Sequence, residues 1–328
     1  MKPNSLTQRP IGVFDSGVGG LTVVRALMER LPNENIVYFG DTARVPYGVK
    51  SRSTIETYTA QIVEFLMQHD VKALVIACNT IAAVAGAKVR QTAGGMPVLD
   101  VIAAGAQAAL ATSRNGRIGI IATSTTVNSN AYARAIHAQN PQARVPSQAC
   151  PLLVPLVEEG WLEHEVTRLT VREYLKPLLA EDIDTLVLGC THYPLLTGVI
   201  SYIMGEDVTL VSSADETAKD VYRELLNHAI ESPVPEENPH HEFLATGESE
   251  TFSHLARRFL GPEVTNVRHT SSVAERYPTG SLAALTPEML AAHRSITLDE
   301  SADPAEAVHT VADTEFSGTT PKDDTSCV

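Results

Sequence analysis

The chain has 328 residues, 44% of them hydrophobic, a length that suggests about two domains with sizeable cores. Its formal net charge of −14 argues against a nucleic-acid binder, which needs a basic patch. The start, MKPNSLTQRP, has no apolar stretch of the secretory type, no apolar run approaches the ~20 residues of a membrane-spanning helix, and four cysteines make no disulfide framework, so a reduced, cytoplasmic setting is expected.

Short apolar runs alternate with stretches of helical spacing. Strands are predicted at 11–14, 36–39, 73–77, 98–99, 118–122, 185–189, 208–211 and 243–245. Helices are predicted at 21–31, 53–69, 81–92, 103–113, 129–139, 163–180, 216–229 and 251–260. Such alternation builds βαβ units around parallel sheet. Strands covered on both faces read as continuous apolar runs, as these do.

Two halves of the chain look alike. IGVFDSGVGG opens at Ile11, and VIACNT ends that half's third strand at Cys78. IGIIATSTTV opens at Ile118, and VLGCTH brings Cys190. Gly12 to Cys78 spans 66 positions and Gly119 to Cys190 spans 71. The expected fold class is therefore α/β, with two similar parallel-sheet domains facing each other. Ligands of open α/β sheets bind at the C-terminal strand edge, where each half places one cysteine. The end of the chain differs. From Leu285 onward nine acids oppose two bases, Arg294 and Lys322. Beyond Thr297 the sequence is small and polar, so a disordered tail carrying Cys327 is expected.

Each chemical motif has a bland reading beside a functional one. A buried cysteine at a strand end is most often a small hydrophobe. Asn79 and Thr80 after Cys78 could be helix caps alone. Yet a helix start offers free N–H groups and lowers the pKa of a thiol placed there. Cys190, followed by Thr191 and His192, is read in the same setting. Zinc ligation fits poorly, since these cysteines lie 112 positions apart without the usual close Cys spacing. Thioredoxin-like chemistry would need Cys-x-x-Cys, which is absent. A hydrolase with a single nucleophile would leave Cys78 unexplained.

Asp15–Gly20, DSGVGG, follows a strand and precedes a helix like a dinucleotide fingerprint, and Asp41 stands where a ribose-binding acid would be. Against a nicotinamide enzyme, Thr22 replaces the third glycine, and Asp15 sits where a pyrophosphate needs neutral amides. GDTARVPYG, from Gly40 to Gly48, reads as a turn around Pro46. ATSTTVNSNAY, from Ala122 to Tyr132, gathers hydroxyls before a helix, with Ser129 suited to an N-cap and the cluster suited to a carboxylate ligand. Glu158 and Glu159 read first as an exposed acidic pair.

Together, IGVFDSGVGGLTV, YFGDTARVPYG, LVIACNTIAA, GIIATSTTVNSNAY, CPLLVPLVEEG and LVLGCTHYPLL resemble the glutamate racemases of the aspartate/glutamate racemase superfamily. The motifs come in that family's order and cover about residues 9–269. His192, where aspartate racemases carry Glu, points to the glutamate branch.

The resemblance implies cofactor-independent interconversion of L- and D-glutamate, with the D-isomer feeding peptidoglycan synthesis. It implies Cys78 and Cys190 as the two acid–base groups, Cys78 acting on D-glutamate and Cys190 on L-glutamate. Asp15 would assist Cys78, His192 would assist Cys190, and Glu158 and Asp41 would be supporting acids. Ser16, Tyr47, Gly48, Asn79, Thr80, Thr126 and Thr191, with Asp15 and His192, would hold the substrate. No metal is implied. A homodimer is implied, and activation by a peptidoglycan precursor is left open. The implied domains are 1–99 plus 212–284, an inserted 100–211, and the tail 285–328. An aspartate or other amino-acid racemase, and a non-catalytic glutamate-binding protein, are the alternatives.

Overall fold

Strands with no exposed face set the architecture. The computed structural model describes residues 6–233, 238–262, 264 and 267–270. The chain divides after Leu282, and every described residue lies on the N-terminal side of that point. The expected acidic tail, with Cys327, lies outside the described residues.

In β1 (Ile11–Asp15) all five residues are buried, as they are in β2 (Ile36–Gly40). Both faces of these strands are covered, so apolar residues cannot alternate with polar ones. Ile11, Phe14 and Phe39 are fully buried, each contributing about 1.5–3 kcal/mol of apolar burial. The first sheet has six strands. Its order is β10 (Val267–His269), β9 (His241–Ala245), β2, β1, β3 (Ala73–Ile76) and β4 (Val98–Asp100). The second has four: β6 (Ser147–Ala149), β5 (Ile118–Ala122), β7 (Thr185–Gly189) and β8 (Thr209–Ser212). All pairings within the two sheets are parallel.

Helices cover the sheets between strands. They are α1 (Leu21–Arg30), α2 (Arg52–Met67), α3 (Asn79–Ala93), α4 (Val101–Thr112), α5 (Ser124–Ser129) and α6 (Ala131–His137). Then come α7 (Leu153–Glu158), α8 (Glu165–Leu179), α9 (Thr197–Met204), α10 (Ser213–Asn227) and α11 (Ser249–Phe259). The chain leaves the six-stranded sheet at β4, where Asp100 accepts from the Ile102 and Ala103 N–H groups at 2.9 Å and so caps α4. It leaves the four-stranded sheet at β8, where Ser212 caps α10. That cap starts α10 three residues earlier than the apolar spacing predicts.

The expected helix over 129–139 is found as α6, and a further short helix, α5, precedes it. Asn130 sits between them in the left-handed region, with φ 55°, a conformation asparagine tolerates better than most residues. Ser129 therefore ends α5 rather than beginning a helix, and Thr123 is the residue that caps α5. Strands β6 and β10 and helices α5, α7 and α9 were not predicted.

Candidate active site

Register brings the two cysteines to the open ends of the sheets. Phe14 pairs with Ile76, so Ser16 and Cys78 leave the first sheet side by side. The Ser16 hydroxyl lies 3.5 Å from the Cys78 sulfur. In the second sheet Ala122 pairs with Gly189, so Thr123 and Cys190 leave together. Each sheet thus delivers one thiol at a strand end, and both thiols are buried, Cys78 at 5% exposure and Cys190 at 6%.

Around Cys78 the groups oppose one another. Burial pushes the thiol pKa well up, and the Asp15 carboxylate pushes it further. The Ser16 hydroxyl and the backbone N–H groups of Ile81 and Ser16 work in the other direction. Cys78 occupies the N-cap position of α3, ahead of the Asn79 and Thr80 that the sequence offered as caps, and its pKa is raised there rather than lowered as a helix start alone would have it. Asp15 is buried beside it. Its Oδ2 accepts from the Gly20 N–H at 2.9 Å and the Gly17 N–H at 3.3 Å, while its Oδ1 has no hydrogen-bond partner among the described residues. A carboxylate thus fills the amides that a dinucleotide's pyrophosphate would require, and the fingerprint-like loop does not serve that ligand.

Cys190 is set differently from expectation. A 3-10 turn, Tyr193–Leu196, follows it before α9 begins, so no α-helix start stands at its sulfur. His192 takes that place. Its Nδ1 lies 3.9 Å from the Cys190 sulfur and its Nε2 lies 2.9 Å from Glu158 Oε1. Burial alone would lower the imidazole's pKa, but the hydrogen bonds to Cys190 and Glu158 reverse this and raise it to about 10. The Phe259 ring meets the imidazole edge-on at 5.2 Å. Glu158 is therefore not simply half of an exposed pair, because its carboxylate holds the histidine.

Polar side chains join the two halves. Thr80, just after Cys78, lies 3.0 Å hydroxyl to hydroxyl from Thr123, which lies 3.0 Å from Thr126. Thr125 donates to the Gly48 carbonyl at 2.7 Å, tying the Tyr47–Gly48 turn to α5. Gly19 packs so closely on the Cys190 segment that a Cβ there would lie 2.3 Å from Thr191 Oγ1 and 2.5 Å from His192 Nδ1. Thr191 and His192 are themselves buried.

Asp41 plays a part other than the one expected. It accepts from Arg44 Nε at 2.7 Å, from Thr246 Oγ1 at 2.8 Å and from the Tyr47 hydroxyl. Those bonds commit it to the loop carrying Tyr47 and Gly48 rather than to either thiol. The Tyr47 side chain is buried and committed to Asp41, which leaves the backbone of that turn as its offering to a ligand.

Three residues near the site were missed from the sequence. Cys150 is fully buried, and burial followed by the charge of Cys190 pushes its pKa up to about 12. Arg258 of α11 donates to the Val157 carbonyl at 3.0 Å and to the Glu158 carbonyl, holding the end of α7. Tyr132 of α6 donates to Asn79 Oδ1 at 2.7 Å. Their signals were weak: a core-like Cys, one basic residue among several, and a Tyr read only as part of a hydroxyl-rich stretch. Among the described residues no group of three or more His, Cys, Asp or Glu is placed to hold a metal ion, and no helix is long and apolar enough to cross a membrane.

The family model for Asp/Glu/Hydantoin racemases matches residues 11–221. The chain belongs to that family. Curated members are similar over nearly their whole length. The glutamate racemase of Neisseria meningitidis serogroup A is 65% identical over 264 residues, covering 80% of this chain and 97% of that protein. Among solved structures, the Francisella tularensis glutamate racemase in complex with D-glutamate superposes with a TM-score of 0.77 at 42% identity, covering 82% of this chain and 99% of that one. The Escherichia coli glutamate racemase, in complex with L-glutamate and the activator UDP-MurNAc-ala, superposes with a TM-score of 0.64 at 27% identity, covering 80% and 98%. Family members thus share this pair of parallel-sheet α/β domains.

Proposed function

We propose that the chain interconverts L- and D-glutamate by proton transfer between Cys78 and Cys190, without a cofactor. The observation that carries this reading is the pair of buried thiols, one at a strand end of each sheet, each beside its own polar and titratable neighbours. The identity to glutamate racemases and the likeness to structures holding D- and L-glutamate support glutamate as substrate.

Racemisation removes the Cα proton from one face and returns a proton to the other. One cysteine enters as thiolate and takes the proton, leaving a planar carbanion whose charge spreads into the α-carboxylate. The other enters as thiol and donates to the opposite face. The two sulfurs have then exchanged protonation states, and a turnover in the reverse direction restores them. A positioned acid–base group contributes about 10²–10⁴-fold in rate. Cys78 acts on D-glutamate with Asp15 as its neighbour, and Cys190 acts on L-glutamate with His192 as its neighbour. The imidazolium favours negative charge on the Cys190 sulfur, and Glu158 keeps that imidazole oriented and protonated. Hydrogen bonds to the α-carboxylate must stabilise the carbanion. This reading assigns that task to Ser16, Asn79, Thr80, Thr126 and Thr191, with the Tyr47–Gly48 backbone.

The same reading assigns residues 1–99 with 212–284 to one domain and 100–211 to the other. It also proposes a cytoplasmic homodimer that supplies D-glutamate for peptidoglycan. The activator bound to the Escherichia coli relative supports a peptidoglycan precursor as an effector. Turnover in D2O tests the proton route. Deuterium should enter Cα of the product enantiomer, and a product retaining its original hydrogen would exclude exchangeable thiols as the carriers.

A further inference from the structure

Asn79 follows Cys78 directly and opens α3, and it is 3% exposed. Its side-chain oxygen accepts from the Tyr132 hydroxyl at 2.7 Å, a bond buried on both sides. Its Nδ2 is also buried and has no hydrogen-bond partner among the described residues. An amide left this way forfeits about 1–3 kcal/mol, so an unfilled donor is unusual. An asparagine amide can flip by exchanging O and N. A phenol has one proton to give and can also accept; here the Ser213 side chain supplies the hydrogen bond that the Tyr132 oxygen accepts, so the phenol's own proton goes to the amide, whose oxygen must then face the ring.

Tyr132 is held in turn. It is 3% exposed, and a Cβ on Gly189, the residue before Cys190, would lie 3.0 Å from its ring. On its other side, a Cβ on Gly105 of α4 would lie 3.2 Å from the hydroxyl and 3.1 Å from the Ser213 Cβ at the start of α10. The ring therefore stands against the segment leading to Cys190 while its hydroxyl reaches the residue after Cys78.

We infer that Tyr132 is a positioning residue: it locks the Asn79 amide with nitrogen outward, so that Nδ2 donates to the α-carboxylate of the bound amino acid. The inference rests on the substrate reading proposed above. Tyr132 touches no reacting atom and acts through Asn79, and because its ring abuts Gly189 it also fixes the register of one thiol-bearing segment against the other. Its loss should weaken substrate binding alike from both enantiomers, since a carboxylate contact is common to both.

A double-mutant cycle tests this. Tyr132→Phe keeps the ring and removes the hydroxyl, and Asn79→Ala removes the amide. Racemisation is followed by circular dichroism from each enantiomer, with thermal melts to check folding. Tyr132→Phe is expected to raise KM about tenfold in both directions while kcat changes less. In the Asn79→Ala background it should add almost nothing, because the two act as one unit. Additive losses in the double variant, or a Tyr132→Phe enzyme with wild-type KM, would overturn the inference. If Tyr132→Phe does not fold, Asn79→Ala alone decides: a wild-type KM for glutamate would remove the contact on which Tyr132 acts. The wild-type assay separates the two levels. No turnover of glutamate by the wild type defeats the substrate reading, whereas wild-type turnover with an additive cycle defeats this inference only.

Discussion

Glu158 Oε1 stands 2.9 Å from Nε2 of His192, whose other ring nitrogen faces the sulfur of Cys190. The two residues lie 34 positions apart and meet because α7 ends beside the turn that follows β7. The hydrogen bonds to Cys190 and to Glu158 together raise the His192 pKa to about 10 despite its burial.

The first prediction concerns pH. A folded pKa above the free value of about 6.5 means that the imidazolium's contribution to stability is complete below about pH 6.5 and is lost as pH rises through about 10. Glu158→Gln keeps a hydrogen-bond acceptor but removes the charge. Its melting temperature and its turnover of L-glutamate should therefore begin their alkaline decline at lower pH than the wild type's. Turnover from L-glutamate should also fall about tenfold or more. Melts and rate profiles between about pH 6 and 10 check both.

The second concerns close approach. Gly19→Ala would place a methyl group against Thr191 and His192 at distances no relaxed contact allows. Overpacking of this kind costs about 1–3 kcal/mol. We expect a lower melting temperature and at least a tenfold loss of kcat/KM, because the strain falls on the Cys190 segment itself.

A third prediction lies away from the site. Lys72, whose side chain is fully buried, pairs with Glu34 and also donates to the carbonyls of Thr7 and Ile230. Lys72→Met leaves Glu34 buried without its cation, a change that costs about 3–5 kcal/mol. Urea unfolding should show that loss, and Glu34→Gln in the same chain should recover part of it.

A fourth follows from the loop that closes over α5. Asp41→Asn removes the charge that Arg44 pairs with and weakens the bonds from Tyr47 and Thr246. The Tyr47–Gly48 turn, which the Gly48 carbonyl bond ties to Thr125, should loosen. KM should rise several-fold with a smaller effect on kcat, measured from either enantiomer.

Central strands were legible because burial on both faces writes them as unbroken apolar runs, as in β1, β5 and β7. β6 was not, because Ser147–Ala149 is short and partly exposed and carries no apolar signal. α7, within CPLLVPLVEEG, and α9, which begins at the end of GCTHYPLLTG, were hidden because prolines and glycines interrupt the helical spacing there. The two cysteines could be singled out because their strand ends repeat along the chain. Asp41 was misjudged because a loop carboxylate's partners, one of them Thr246 some 205 positions away, leave no trace in local sequence. The same holds for Glu158 with His192 and for Tyr132 with Asn79, whose contacts are made by packing between elements.

The central claim, that both thiols carry the proton, is tested most directly by Cys78→Ser and Cys190→Ser, each assayed for racemisation starting from L- and from D-glutamate. The account predicts that each variant folds and loses racemisation in both directions by about 10²-fold or more. Near-normal turnover by either variant would contradict it.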